Sequence, residues 1–310
     1  MTKIEELIET LRHAPAQTVT AWDPVNAPMV RQWCEVIGID NPLYLDDEAA
    51  RRGPHGALVA PVAMLYSWNM PGYRGIYPSG EPFDLQPKFE DAGFPGVFAT
   101  NFEYTFDRCP HMGEVITRSS TLANISDLKK TKAGEGYFLT QKEVYTGEGG
   151  RQVGVMGMNA FFFRPLEADT QSKPAPSANI ELPKEDPSYP PVAIDITTSF
   201  IVAAAIATRD YQPIHHDRDA AIRGGTKDIY LNILAAVGLV QRSIETWYGP
   251  NTKIESLNLR LLSQCYPSDC LTFKNISSTS SADGRIEIKV RGDLRKGVFA
   301  DATVVVHKPS

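Results

Sequence analysis

Residues 209–249 read RDYQPIHHDRDAAIRGGTKDIYLNILAAVGLVQRSIETWYG, and this stretch decides the fold of the C-terminal half. From Ile229 onward it predicts one long apolar helix, which the Gly249-Pro250 pair ends. Four strand-like segments follow: IESLNLRLL (254–262), CLTFKNISS (270–278), RIEIKVRG (285–292) and VFADATVVV (298–306). A single apolar helix followed by a run of antiparallel strands is typical of an α+β unit whose helix packs on a curved sheet.

The N-terminal half follows the same plan. GIDNPLYLDDEAA (38–50) precedes a helix-like apolar stretch, LVAPVAMLYSWNM (58–70). Its strand-like segments are VFATNFEYTF (97–106), EVITRSSTLANI (114–125), GYFLTQKEVYT (136–146) and QVGVMGMNAFFF (152–163). Between the halves, residues 164–191 are rich in Pro, Ser and charge, which is typical of an extended linker. We therefore predict a duplicated α+β chain with units at 1–165 and 192–310, joined by a linker at 166–191.

Composition limits the classes of function. The 310 residues are 42% hydrophobic and 22% charged, which allows a proper core, and the net charge of −6 argues against nucleic-acid or anionic-membrane binding. The four cysteines form no Cys-x-x-Cys pair, so we expect reduced thiols. The N-terminus, MTKIEELIETLRH, predicts a short amphipathic helix with a Thr2–Glu5 capping box, not a signal peptide. No apolar run approaches the roughly 20 residues needed to span a bilayer. We expect a cytoplasmic protein.

Asp210 and His215 lie five residues apart on a loop between two packed apolar segments. Pro213 stiffens this loop, because it restricts its own φ and disfavours helical geometry at Gln212. A carboxylate and an imidazole placed in this way can converge on one water molecule and move its proton near neutral pH. Two alternatives remain at this point: a turn or helix cap with exposed histidines, and metal binding by His215, His216 and Asp217.

The run D-Y-Q-P-I-H, followed by a helix, resembles the hydratase motif of MaoC-like (R)-specific enoyl-CoA hydratases. Asp210, Pro213, Ile214 and His215 match that motif, and Gln212 replaces its usual Asn. The resemblance implies a double hotdog fold, in which each unit is a central helix wrapped by an antiparallel sheet. It also implies hydration of an enoyl-CoA thioester, with Asp210 and His215 holding the water.

The same resemblance implies a backbone N–H donor for the thioester oxygen at the start of the hotdog helix. Asn232 occupies that place, although Leu231-Asn232 stands where the family often has His-Gly. No metal or organic cofactor is expected, since coenzyme A enters with the substrate. The resemblance also implies assembly, either as a homodimer or in a complex with a pathway enzyme.

Aligning the N-terminal motif on its proline places Pro42 over Pro213. Ile39 and Tyr44 then replace Asp210 and His215, and Asp40 falls at the variable position. This predicts one active site per chain, with a degenerate N-terminal unit that shapes the acyl tunnel. Aromatic and Met side chains near its helix are candidates to line that tunnel: Trp68, Met70, Tyr73, Phe83, Phe94 and Phe98.

A narrower resemblance is to MaoC-like hydratases of bacterial steroid side-chain degradation, in which a catalytic hotdog pairs with a non-catalytic one. This chain would be a fused form of that pair, with a steroid-CoA as one possible substrate beside fatty acyl and polyketide chains. Two other functions stay open: a hotdog thioesterase and a non-catalytic acyl-CoA-binding subunit.

Overall fold

A computed structural model of the chain describes residues 2–77, 80, 84–131, 133–165 and 188–307. Eleven strands of these residues form one antiparallel sheet. They are β1 (Gln17–Thr20), β2 (Gly96–Phe106), β3 (Thr117–Ile125), β4 (Lys129–Lys130), β5 (Glu135–Thr146), β6 (Gln152–Arg164), β7 (Val192–Ile196), β8 (Lys253–Leu261), β9 (Asp269–Ser280), β10 (Arg285–Leu294) and β11 (Gly297–His307). The strand segments predicted in both halves are confirmed, with small shifts at their ends.

The strand order reveals the duplication. Across the sheet it is β1-β3-β5-β6-β2-β8-β11-β10-β9-β7, with the two-residue β4 paired to β5. Read inward from each edge, the two halves have the same order, and they join where β2 pairs with β8 from Asn101–Arg260 to Thr105–Ser256. Each half packs helices on the inner face of its sheet, so the predicted double hotdog is confirmed.

Eight α-helices and three 3-10 helices accompany the described strands. The α-helices are α1 (Lys3–Arg12), α2 (Ala27–Ile37), α3 (Pro42–Leu45), α4 (Asp47–Arg52), α5 (Gln86–Asp91), α6 (Thr198–Thr208), α7 (Arg218–Arg223) and α8 (Ile233–Tyr248). The 3-10 helices are Val62–Asn69, Glu148–Gly150 and Pro213–His215. The capping box predicted for α1 is present, since Thr2 and Glu5 bond each other's backbone N–H. None of the described helices is long and apolar enough to cross a membrane.

The central helix of the C-terminal unit, α8, ends at Gly249 as predicted. It begins at Ile233, four residues later than the apolar pattern suggested. The side chain of Asn232 accepts the Ala235 N–H at 2.7 Å and so fixes the helix start. Ten of the sixteen residues of α8 are buried, all of them between Leu234 and Ile244.

The corresponding helix of the N-terminal unit is much shorter than predicted. Only Val62–Asn69 is helical, in 3-10 geometry, so we call it the short core helix. Pro61 keeps the preceding backbone extended, and Val59 pairs with His111 as an isolated β-bridge instead. Asn69, at the other end, is buried and donates to the carbonyls of Val19 and Ile116. The N-terminal unit therefore has eight helical residues where the C-terminal unit has sixteen.

Most of the predicted linker, residues 166–187, lies outside the described residues. β6 ends at Arg164 and β7 begins at Val192. Just before β7, the ring of Tyr189 stacks on Tyr248 of α8 with centroids 5.0 Å apart. The exact domain boundaries stay a prediction.

Candidate active site

The loop after α6 carries the predicted catalytic pair. α6 is apolar on all sides, and it ends at Arg209 in a left-handed conformation with φ 58°. The Asp210 N–H then donates to the Ala205 carbonyl at 2.9 Å, which closes the helix end. Pro213–His215 forms one 3-10 turn. The reversal at Arg209 and this turn bring Asp210 and His215 to the same side of the loop.

Asp210 and His215 face each other in a buried setting. Oδ2 of Asp210 lies 3.5 Å from Nε2 of His215, and the two residues are only 7% and 6% exposed. The separation is long for a direct hydrogen bond. One water placed against both atoms can bond each of them, which is the arrangement that proton transfer to and from water requires.

The other ring nitrogen fixes the protonation of His215. Nδ1 lies 2.8 Å from the backbone carbonyl of Tyr230. A carbonyl only accepts hydrogen bonds, so Nδ1 carries the hydrogen and Nε2 of the neutral ring is an acceptor. The Tyr230 ring packs edge-on against the imidazole, with centroids 5.0 Å apart. His215 is thus held as a base whose free nitrogen faces Asp210.

Asn232 lies at the start of α8, and its side chain holds that helix near the catalytic loop. Nδ2 donates to Thr208 Oγ1 at 2.9 Å, two residues before Asp210. Among the described residues, the backbone N–H of Asn232 has no hydrogen-bond partner. The N-terminus of a sixteen-residue helix also carries positive partial charge. This N–H is therefore suited to stabilise a developing negative charge, although its assignment as the oxyanion donor stays a prediction.

The neighbouring residues, which the metal alternative would use, have structural partners. Asp217 accepts the Ala220 N–H at 3.0 Å and caps α7. His216 bonds the Tyr211 carbonyl at 3.2 Å. In the described parts of the chain, no group of three or more His, Cys, Asp or Glu side chains is placed to hold a metal.

The N-terminal unit repeats the main backbone features of this loop. Pro42 and Pro213 are 171 positions apart, and at the same offset Gly38 and Arg209 are both left-handed, with φ 79° and 58°. Three N–H to carbonyl bonds also recur at this offset: Ile39 to Cys34 and Asp210 to Ala205, Tyr44 to Asn41 and His215 to Gln212, Asp46 to Pro42 and Asp217 to Pro213. The sequence alignment of the two motifs therefore pairs residues that have equivalent backbone positions in the structure.

The offset of 171 positions also relates the residues that precede the two core helices. Pro61 precedes the short core helix at the place where Asn232 precedes α8. Proline has no N–H. The N-terminal unit thus has Ile39 in place of the carboxylate, Tyr44 in place of the imidazole, and Pro61 in place of the candidate oxyanion donor.

Side chains of α8 fill the space around Tyr44. Its hydroxyl donates to Glu245 at 2.7 Å and accepts from Gln241 at 3.0 Å. Gln241 also accepts the Ala63 N–H at 2.9 Å, at the start of the short core helix. Burial raises the pKa of Glu245 despite the three donors around its carboxyl. The degenerate site is therefore occupied by the protein itself.

The predicted tunnel residues are not brought together. Trp68 lies in the main core and Met70 packs against it, while Phe94 belongs to a separate apolar cluster beneath α1 and α5. Phe98 is 42% exposed and packs on Phe161 and Phe163. Phe83 lies outside the described residues. Of the predicted tunnel residues that the structure describes, Tyr73 packs on the catalytic loop, where its ring lies edge-on against Tyr211 at 5.9 Å.

Two positioning groups were missed by the sequence. The Tyr230 carbonyl is a backbone group that every residue type has, so the sequence does not identify it. The Thr208 hydroxyl lies inside an apolar helix, where a threonine is unremarkable. Extending the proline alignment at its constant offset, in contrast, identifies Pro61 from sequence alone.

Comparisons with known proteins agree with this fold. A solved MaoC-like dehydratase superposes over 97% of this chain and 100% of its own, with a TM-score of 0.73 at 14% identity, which shows the fold. The beta subunit of 3-oxo-4,17-pregnadiene-20-carboxyl-CoA hydratase from Mycobacterium tuberculosis is 47% identical over 106 residues, which are 34% of this chain and 81% of that protein. The chain belongs to the MaoC-like hydratase family.

Two further matches were found for this MaoC-like chain. A family model described as the FAS1-like dehydratase domain region matches residues 16–156. The alpha subunit of the same M. tuberculosis hydratase is 37% identical over 186 residues, which are 56% of this chain. The chain spans 60% of that subunit's length.

Proposed function

We propose that the chain is an enoyl-CoA hydratase with one active site, formed by Asp210 and His215. The observation that carries this proposal is the buried pair itself. Nε2 of His215 is turned toward Asp210 by the bond from Nδ1 to Tyr230, and the gap of 3.5 Å suits a shared water. Membership of the hydratase family supports the same reaction.

In this mechanism the shared water attacks C3 of the enoyl thioester. Nε2 of His215 takes one proton as the water oxygen bonds to C3, and Asp210 accepts a hydrogen bond from the remaining O–H. The double-bond electrons move onto the thioester as an enolate. His215 then returns the proton to C2, so the elements of one water are added across the double bond.

The enolate oxygen needs a donor that is in place before the charge develops. The Asn232 N–H is our candidate, since it starts α8 and Asn232 is tied to Thr208 beside the catalytic loop. Oxyanion donors of this kind contribute about 2.7–4 kcal/mol in other enzymes. Coenzyme A enters as part of the substrate, and these steps use no further cofactor.

We propose a steroid side-chain enoyl-CoA as the substrate class. Two relatives are named as subunits of a hydratase acting on a steroid-type CoA thioester. We further propose that a bulky acyl group lies beside the short core helix, which has eight residues where α8 has sixteen.

The chain would join the counterparts of two subunits in one polypeptide. The alpha and beta matches occupy 56% and 34% of this chain, so both fit within its length. We further propose that it works in the cytoplasm, as a homodimer or in a complex with a pathway enzyme.

A panel of enoyl-CoA thioesters tests the activity. Short, long and steroidal members are incubated with purified protein, and loss of the enoyl-thioester absorbance is followed. We expect hydration, fastest with the steroidal member. Release of free thiol with the double bond intact would instead indicate a thioesterase, and no turnover of any member would refute enzyme function on these substrates.

A further inference from the structure

The inner face of the N-terminal sheet carries polar side chains in the middle of a core. Arg118, Ser120 and Glu143 are 4%, 1% and 2% exposed. Arg118 Nε lies 3.5 Å from Glu143 Oε2, and the Ser120 hydroxyl donates to the same carboxyl oxygen. Burying charged groups costs free energy unless they are paired or used, so this placement asks for an explanation.

Two buried tyrosine hydroxyls lie beside this ion pair. Tyr104 and Tyr145 are among the most deeply buried side chains, and neither hydroxyl has a hydrogen-bond partner among the described residues. Arg118 Nε–H makes no hydrogen bond there either. An unmade buried hydrogen bond costs about 1–3 kcal/mol. A sequence with Phe at positions 104 and 145 would avoid that cost for both hydroxyls.

These groups are neighbours in space. Arg118 of β3 lies directly opposite Tyr145 of β5 in the sheet register, and Tyr104 of β2 lies in the same row as Glu143, with Met156 of β6 between them. Burial raises the pKa of Tyr145, and the charge of Glu143 raises it further. Burial and the charge of Glu143 also raise the pKa of Tyr104. We call Tyr104, Arg118, Glu143 and Tyr145 the polar cluster.

The C-terminal unit has a different interior at the matching strands. β9 and β10 correspond to β3 and β5 in the strand order. Their buried side chains are apolar, Leu271, Phe273, Ile288 and Val290, except for Asn275, which bonds Tyr248 and Ser278. The polar cluster is thus special to the unit that has lost its catalytic groups.

Tyr66 connects the polar cluster with the catalytic loop. It belongs to the short core helix, and the Arg118 guanidinium lies over its ring at 5.3 Å. Burial raises the pKa of Tyr66, and the charges of both Glu143 and Asp210 act in the same direction. Tyr66 therefore contacts the polar cluster through Arg118, and the charge of the catalytic carboxylate also acts on it.

We propose that the polar cluster binds a neutral oxygen, such as a ring ketone, at the far end of the acyl group. This inference rests on the proposed hydratase function and names a feature of its substrate. Arg118 Nε–H can only donate and both tyrosine O–H groups can donate, so an acceptor atom is the one ligand group that suits all three. Glu143 already balances the charge of Arg118, so a neutral acceptor fits better than an anion.

The test compares two bulky cyclic acyl-CoA ligands that differ only in a distal ring ketone. Saturated, unreactive versions are titrated into the protein by calorimetry, so that binding is measured whether or not turnover occurs. The variants are Tyr104→Phe and Tyr145→Phe, which remove one oxygen each. The matched control is Tyr137→Phe, on the same strand as Tyr145 but packed against Phe89 and Phe94.

We expect the wild type to bind the ketone ligand at least tenfold more tightly than its deoxy partner. Each cluster variant should weaken ketone binding by about fivefold, or about 1 kcal/mol at 1.4 kcal/mol per tenfold. Deoxy binding and the control should not change. Thermal stability should stay or rise, because an unbonded buried hydroxyl is removed.

Equal binding of the two ligands by the wild type would overturn the inference. So would an unchanged ketone preference in both cluster variants, since a purely structural role would leave that preference intact. Failure of the hydratase proposal is a separate result, in which no enoyl-CoA is hydrated although the ketone preference in binding is present.

Discussion

Asn232→Pro gives the C-terminal unit a proline before its core helix, as Pro61 does in the N-terminal unit. The backbone at Asn232 has φ −76°, which a proline ring adopts. The substitution removes the N–H that we assign to the enolate oxygen. It also removes the side chain, so Asn232→Ala is the matched variant that loses the side chain and keeps the N–H.

The loss of stability and the loss of rate can be distinguished by their magnitudes. Both variants lose the helix cap at Ala235 and the bond to Thr208. These cost about 1 kcal/mol each, so both proteins should be about 2 kcal/mol less stable. Thr208 keeps its bond to the Ala204 carbonyl. Loss of an oxyanion donor costs a further 2.7–4 kcal/mol in the transition state, or about 10²–10³ in rate.

The assay is enoyl-CoA hydration under kcat conditions, alongside urea unfolding of both variants. We expect Asn232→Pro to be about 10²–10³ slower than Asn232→Ala at similar stability. Rates within about threefold of each other, at similar stability, would refute the assignment of this N–H.

Two other predictions concern the degenerate site. Tyr44→Phe should keep hydration within about tenfold, or about 1.4 kcal/mol, yet lose about 1–3 kcal/mol of unfolding free energy because Glu245 loses a donor; a rate loss beyond a hundredfold would place catalysis at Tyr44. Glu245→Gln should flatten the pH dependence of unfolding. Burial raises the folded-state pKa of Glu245 above its ordinary value of 4.5, so the unfolded state releases this proton first and wild-type stability falls as the pH rises through that range. Unfolding at pH 5 and pH 8 measures the difference, and equal slopes in the two proteins would contradict the raised pKa.

Much of the fold was readable because several strands alternate over part of their length and several helix ends have a chemical signal. Thr2 with Glu5 predicted the start of α1, and Gly249 the end of α8. The short core helix was overestimated, since its apolar residues also suit a longer helix. Pro61 and the backbone bonds of Asn69 limit its length, and those bonds depend on tertiary partners.

The sequence predicted those parts of the site that depend on the type of side chain. Asp210 and His215 follow from the resemblance of residues 210–215 to the hydratase motif, and the loss of both groups at Ile39 and Tyr44 follows from aligning Pro42 with Pro213. The Tyr230 carbonyl could not be predicted, because any residue supplies a carbonyl. The polar cluster could not be predicted either. Arg118 and Glu143 lie on strands in which polar and apolar residues alternate, so the sequence suggests that both are on the surface. Only the strand pairing shows that their face of the sheet is buried.

We propose that Asp210 and His215 form the one hydration site of the chain. The most direct measurement is the hydration rate of Asp210→Asn and His215→Ala on the best substrate of the panel, beside Asp40→Asn and His216→Ala as matched controls. Circular dichroism verifies that all four variants are folded. We predict that the first two lose at least about 10³-fold, or about 4 kcal/mol, while both controls stay within about tenfold. A folded Asp210→Asn or His215→Ala protein that keeps a tenth of the wild-type rate would contradict the account.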